Sequence, residues 1–71
     1  MDYEKLNKII DESGYHRAFL ASKMHMGVNA FSRRTHGKVG WKPSEISEFC
    51  KLLNIGKQQR DAIFFSQEVE K

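Results

Sequence analysis

Apolar residues recur along this chain at helical spacing, and no stretch alternates with period two for more than a few residues. Leu6, Ile9 and Ile10, with Tyr3 before them, draw the stripe of a first helix over residues 2–13. Asp2 stands where an N-cap is wanted, and Gly14 where a left-handed C-terminal residue is wanted. Leu20, Ala21 and Met24 mark a second helix over 16–24. Phe31 marks the inward side of a third over 28–35. Gly37-Lys38-Val39-Gly40 is loop by composition. Pro43, with Ser44 beside it, opens a fourth helix, and Glu45 and Glu48 suit its positive end. Ile46, Phe49, Cys50 and Leu53 form that helix's stripe. Asn54-Ile55-Gly56 breaks it before a fifth helix over 57–67, carrying Ala62, Ile63, Phe64 and Phe65. Five short helices in 71 residues predict an all-α bundle in a single domain, 1–71.

Composition narrows the setting. A chain this short buries only about 60% of its unfolded surface, so packing must be efficient. Five Phe and a hydrophobic fraction of 39% allow one compact core. One cysteine forms no internal disulfide and builds no zinc site by itself. No apolar run approaches the roughly 20 residues of a membrane span. The acidic opening Met1-Asp2-Tyr3-Glu4 is not a signal peptide. The expectation is a soluble, cytoplasmic protein that holds by packing alone.

Charge changes the picture more than composition does. Two Lys and four acids give residues 1–14 a balance of −2. Residues 15–42 carry Arg17, Lys23, Arg33, Arg34, Lys38 and Lys42 with no acid, a balance of +6. Four Lys or Arg and five acids give residues 43–71 a balance of −1, and the whole chain is +3. An acid-free basic window between mildly acidic flanks is the footprint of a polyanion partner, most often nucleic acid. The plainer alternative is a solvated basic loop.

That window holds the informative segment, residues 16–36. It reads as two short helices joined by a tight turn. Ala21 falls where the two helices come closest, so its side chain must be small. Leu20, Met24, Met26 and Phe31 are spaced to meet beneath the turn. Ala21, the pair Lys23-Met24, Met26-Gly27 before the next helix and Gly37-Lys38 after it resemble the helix-turn-helix of the phage Cro and repressor family. That family merges into the wider XRE-type regulators. The run from Pro43 to Ile55 is similar to the family's fourth helix, so the likeness covers roughly residues 5–56. One position departs. The turn residue after Met24 is usually Gly, because the backbone there tends to positive φ, and this chain has His25. His tolerates that conformation better than most non-glycine residues.

The resemblance implies a λ-repressor-like DNA-binding domain whose second helix of the unit enters the major groove of double-stranded DNA. With Phe31 inward, Asn29, Ser32 and Arg33 lie outward and become candidate base readers. Asn pairs bidentately with adenine, Arg with guanine, and Ser with either. Val28 sits at the first exposed turn, where it can touch a thymine methyl or equally meet another protein. Arg17, at the start of the unit, and Arg34, His36, Lys38 and Lys42, around the end of its second helix, are candidate phosphate contacts. Backbone N–H groups near Gly27 join them. The plain alternative for each is a solvated side chain.

Other side chains carry less. His16, His25 and His36 are spaced nine and eleven apart, which suits no helical metal pair, and no metal or cofactor is expected. Cys50 lies on an apolar stripe and reads as a buried thiol. No motif suggests an enzyme. Trp41 is expected to cap the core, with partner binding as the lesser reading. Phe64 and Phe65 are adjacent and cannot both face one side of a helix, so at least one suggests a contact with a second chain. Two functions compete. One is a Cro-type regulator of a phage genetic switch in a bacterial host, binding operator DNA, with a homodimer possible. The other is an antirepressor, similar to modulator-of-repression proteins, that binds the phage repressor through the same helix or through the apolar C-terminal helix.

Overall fold

Four of the five helices stop at a residue with positive φ. In the computed structural model, which describes residues 1–65, the elements are α1 (Tyr3–Ser13), α2 (Arg17–Lys23), α3 (Val28–Thr35), α4 (Pro43–Leu52) and α5 (Lys57–Phe64). No strand occurs among the described residues. Gly14, His25, Gly37 and Asn54 follow the first four helices at φ 83, 60, 81 and 56°. Such a residue turns the chain back so that its own N–H and the next one reach orphan carbonyls of the last turn. After α2, His25 N–H bonds Ser22 O and Met26 N–H bonds Ala21 O, both at 3.0 Å. After α3, Lys38 N–H bonds Arg33 O at 2.9 Å. After α4, Ile55 N–H bonds Cys50 O at 2.8 Å. The same local device thus closes α2, α3 and α4, while after α1 the Tyr15 N–H bonds Ser13 Oγ at 3.1 Å.

His25 occupies the conformation that glycine adopts most readily. It is exposed and makes no side-chain hydrogen bond among those of the described residues. His25→Gly is expected to be neutral, or to stabilise by up to about 1 kcal/mol, as relief of left-handed strain outweighs added unfolded-state entropy. A thermal melt checks it, and clear destabilisation would mean the imidazole has a structural role.

The N-terminal ends match their sequence signals. Asp2 accepts from Lys5 N–H at 3.0 Å through Oδ1. Pro43 begins α4, and the Glu45 carboxylate reaches back to Lys42 N–H at 3.0 Å. α2 is shorter than the pattern suggests because His16 is extended and serves only as its N-cap, while Met24 is its C-cap. Leu53 is the C-cap of α4, half-buried and packed against the core. α5 ends at Phe64, and residues 66 and 67 of the expected fifth helix lie outside the described residues.

All five helices feed one core. Leu6, Ile10, Leu20, Ala21, Met24, Phe31, Ile46, Phe49, Cys50, Ile63 and Phe64 are buried together. Trp41 closes that core from the loop. Its ring meets Phe31, Phe49 and Phe64 edge-on, with centroids 6.4, 5.3 and 5.0 Å away. Its indole N–H donates to Arg34 O at 3.0 Å. Trp41 thus caps the core, the first of the two roles expected of it, and is half-buried there. Phe64, 6% exposed, is withdrawn as a partner candidate, because it completes the same aromatic cluster. Phe65 is 54% exposed, with the Arg60 guanidinium over its ring. At the far side, Asp2 N–H bonds Ile63 O at 2.8 Å, tying the start of α1 to the end of α5. Among the described residues no helix is long and apolar enough to cross a membrane.

Candidate nucleic-acid interface

The second and third helices carry Arg17, Lys23, Arg33 and Arg34 and no acidic residue. Leu20, Ala21 and Met24 of the α2 end and Phe31 of α3 are buried, which fixes the opposite face of α3 outward. On that face Asn29 and Arg33 stand one turn apart and exposed, with Ser32 half-buried beside them. Ser32 Oγ lies 3.3 Å from His36 Nδ1. Val28 is 50% exposed at the first turn. Gly27 is the N-cap and supplies no side-chain cap, so the first N–H groups of α3 are left for an outside partner.

Two hydrogen-bonded hubs hold α3 in place. Asn7 of α1 donates to Tyr3 O at 2.8 Å and to Thr35 O at 3.0 Å, and accepts from Arg17 Nη1 at 2.9 Å. One carboxamide thereby joins α1, the start of α2 and the end of α3. Thr35 beneath it is fully buried and satisfies its hydroxyl on Ser32 O at 3.0 Å. The second hub is Arg34. Its Nε donates to Glu45 Oε1 at 3.0 Å and its Nη1 to Ala30 O at 3.1 Å. Both side chains of this ion pair are only 15% exposed.

These hubs sort the arginines. Arg17 is paired with Asp11, Arg34 with Glu45 and Arg60 with Asp61, each at 3.0 Å. Among the described residues Arg33 alone of the four arginines has no ion pair. Of the expected phosphate contacts, Gly27, His36, Lys38 and Lys42 are exposed. Arg34 is engaged by the covered Glu45 carboxylate, and Arg17 by Asp11 at the surface, with side chains 36% and 70% exposed. Nothing in the sequence distinguished Arg33 from Arg34, because the partner of Arg34 comes from another helix.

Burial pushes the Glu45 carboxyl up. The Arg34 hydrogen bond, the Lys42 N–H and the positive charges of both outweigh that and hold it below its ordinary 4.5. A carboxyl lowered in the folded state contributes stability that is full above its unfolded value and is lost as pH falls through the folded one. Stability is expected to drop as pH falls below 4.5, and Glu45→Gln to flatten that limb. Thermal melts at a series of acid pH values read the slope, and an unchanged slope would remove Glu45 from the account. Burial raises the Cys50 thiol despite the charge of Arg60, which keeps it protonated and unreactive at neutral pH.

The rest of the surface differs in character. An open groove of about 560 Å³ between α1 and α3 is lined by Glu4, Asp11 and Glu12 as well as Lys8, a balance unsuited to a polyanion. Tyr15, in the connection before α2, stacks on the exposed Phe19 of that helix at 5.2 Å, with Lys23 Nζ 5.5 Å from the Phe19 ring centre. Sequence reasoning passed over that pair, although its i, i+4 spacing was a signal.

Residues 1–67 match a family described as a protein of unknown function, DUF739. The chain belongs to the DUF739 family. No curated relative matches it. The DUF739 match covers all five helices and both hubs, so the exposed face of α3 lies wholly within the family's span.

Proposed function

We propose that this protein is a helix-turn-helix DNA-binding regulator, similar to the phage Cro and repressor proteins, in which α3 enters the major groove of operator DNA. One observation carries the reading. Among the described residues Arg33 has no ion pair and stands on the outward face of α3, beside Asn29 and Ser32, while Arg17 and Arg34 are paired with carboxylates. Arg33 and Asn29 are the side chains suited to guanine and adenine edges. Lys38 and Lys42 flank the far end of α3 and supply phosphate contacts, with His36 beside them. The uncapped start of α3 at Gly27 offers N–H groups to another phosphate. The protein acts in a phage genetic switch, by occupying operator half-sites and blocking transcription.

The exposure of the aromatic Phe65 favours a second reading, an antirepressor that binds the phage repressor protein. A gel-shift titration against DNA upstream of its own gene and against random DNA, at two salt concentrations, separates them. A DNA regulator is expected to bind its own sequence selectively. Its log affinity is expected to fall with log salt by about 0.9 for each phosphate neutralised. Weak and indiscriminate binding would overturn the DNA reading in favour of the protein partner.

A further inference from the structure

The first exposed side chain of α3 has no polar atom, and that sets what it can recognise. Val28 presents an isopropyl group, 50% exposed, directly after the uncapped Gly27 and next to Asn29. Its neighbours on the outward face are polar or charged: Asn29, Ser32 and Arg33. A lone aliphatic group in such a face is a poor anchor for a protein partner, whose hot spots gather aromatic and arginine side chains in desolvated pockets. It is well suited to the major groove, where the apolar feature of a base edge is the C5-methyl of thymine.

We propose that Val28 reads the C5-methyl group of a pyrimidine, thymine in unmodified DNA, and so sets one position of the operator. This rests on the DNA-binding reading above. The selection works in two directions. Against a methyl, Val28 buries apolar surface on both sides. Against the N7 and O6 of guanine or the N6 of adenine, it removes water from polar atoms and returns no hydrogen bond, which disfavours those bases. Asn29 and Arg33 read the adjoining edges, so the methyl position lies next to the bases they contact.

The test selects a preferred duplex from a randomised library with the full chain, then replaces its thymines by uracil one at a time. Uracil pairs like thymine and lacks only the methyl. For the wild-type protein one position in each half-site is expected to lose about fourfold in affinity on this change, the effect of one buried methyl. Val28→Ala, at an exposed position, is expected to melt like the wild type and to show little loss at the same position. Restoring a methyl there as 5-methylcytosine, compared with cytosine, is expected to raise wild-type affinity. A gain with 5-methylcytosine alone, and none with thymine over uracil, would make modified DNA the source of the methyl. Uracil and cytosine tolerated everywhere, with the selected duplex still preferred, would overturn the methyl reading and leave the DNA reading standing. No duplex preferred over random DNA would overturn both.

Discussion

Trp41→Ala is expected to remove most of this domain's stability. The indole fills the junction of α3, α4 and α5, edge-on to Phe31, Phe49 and Phe64. Truncating such a side chain costs about 3–5 kcal/mol in lost transfer energy and residual cavity. The carbonyl of Arg34 also loses its indole donor. A domain of this size has on the order of 5 kcal/mol to lose. The thermal midpoint is therefore expected to fall by about 20 °C or more. Trp41→Phe keeps much of the ring and forfeits the hydrogen bond, so it is expected to fall between the two. A midpoint for Trp41→Ala within a few degrees of wild type would show that the cluster repacks without it.

Arg33→Ala and Arg34→Ala, one residue apart, are expected to fail in opposite ways. Arg34 neutralises a Glu45 carboxylate that is 15% exposed and donates to Ala30 O. Its removal leaves that carboxylate with the Lys42 N–H as its remaining partner, which costs about 3 kcal/mol when a covered pair is broken. The expected readout is a midpoint lower by about 15 °C. Arg34→Lys keeps the charge but not the planar fork that serves Glu45 and Ala30 together, so it rescues only in part. Arg33→Ala touches no internal partner, and its stability is expected to stay within about 0.5 kcal/mol of wild type. Its preference between bases is expected to relax, by about 1–3 kcal/mol at one base pair. Equal losses of stability in the two variants would contradict the sorting of the arginines. Unchanged base preference in Arg33→Ala would remove it as a reader.

Local chemistry made most of the fold legible in the sequence. Helix starts at Tyr3 and Pro43 follow from capping and proline rules that act within a few residues. The left-handed backbone at His25 follows from the turn it must make. The apolar stripes placed Leu6, Ile10, Phe31 and Phe49 inward because helical period is a property of neighbours. What depended on distant residues was not legible. Asn7 gives no sign in the sequence that it will meet Thr35 and Arg17. The division of Phe64 from Phe65 depended on Trp41, which arrives from a loop more than twenty residues earlier. The candidate site was read in outline, as the outward face of α3 in a basic window. Its division into free and committed cations needed the carboxylates of α1 and α4.

The Asp2–Ile63 hydrogen bond, at 2.8 Å, brings the two ends of the helical array side by side. The start of α1 and the end of α5 thus hold each other through backbone atoms. The exposed stretch Lys38–Gly40 is as natural an opening as the present one. The order in which this chain writes its helices is one of several that the same packing would accept.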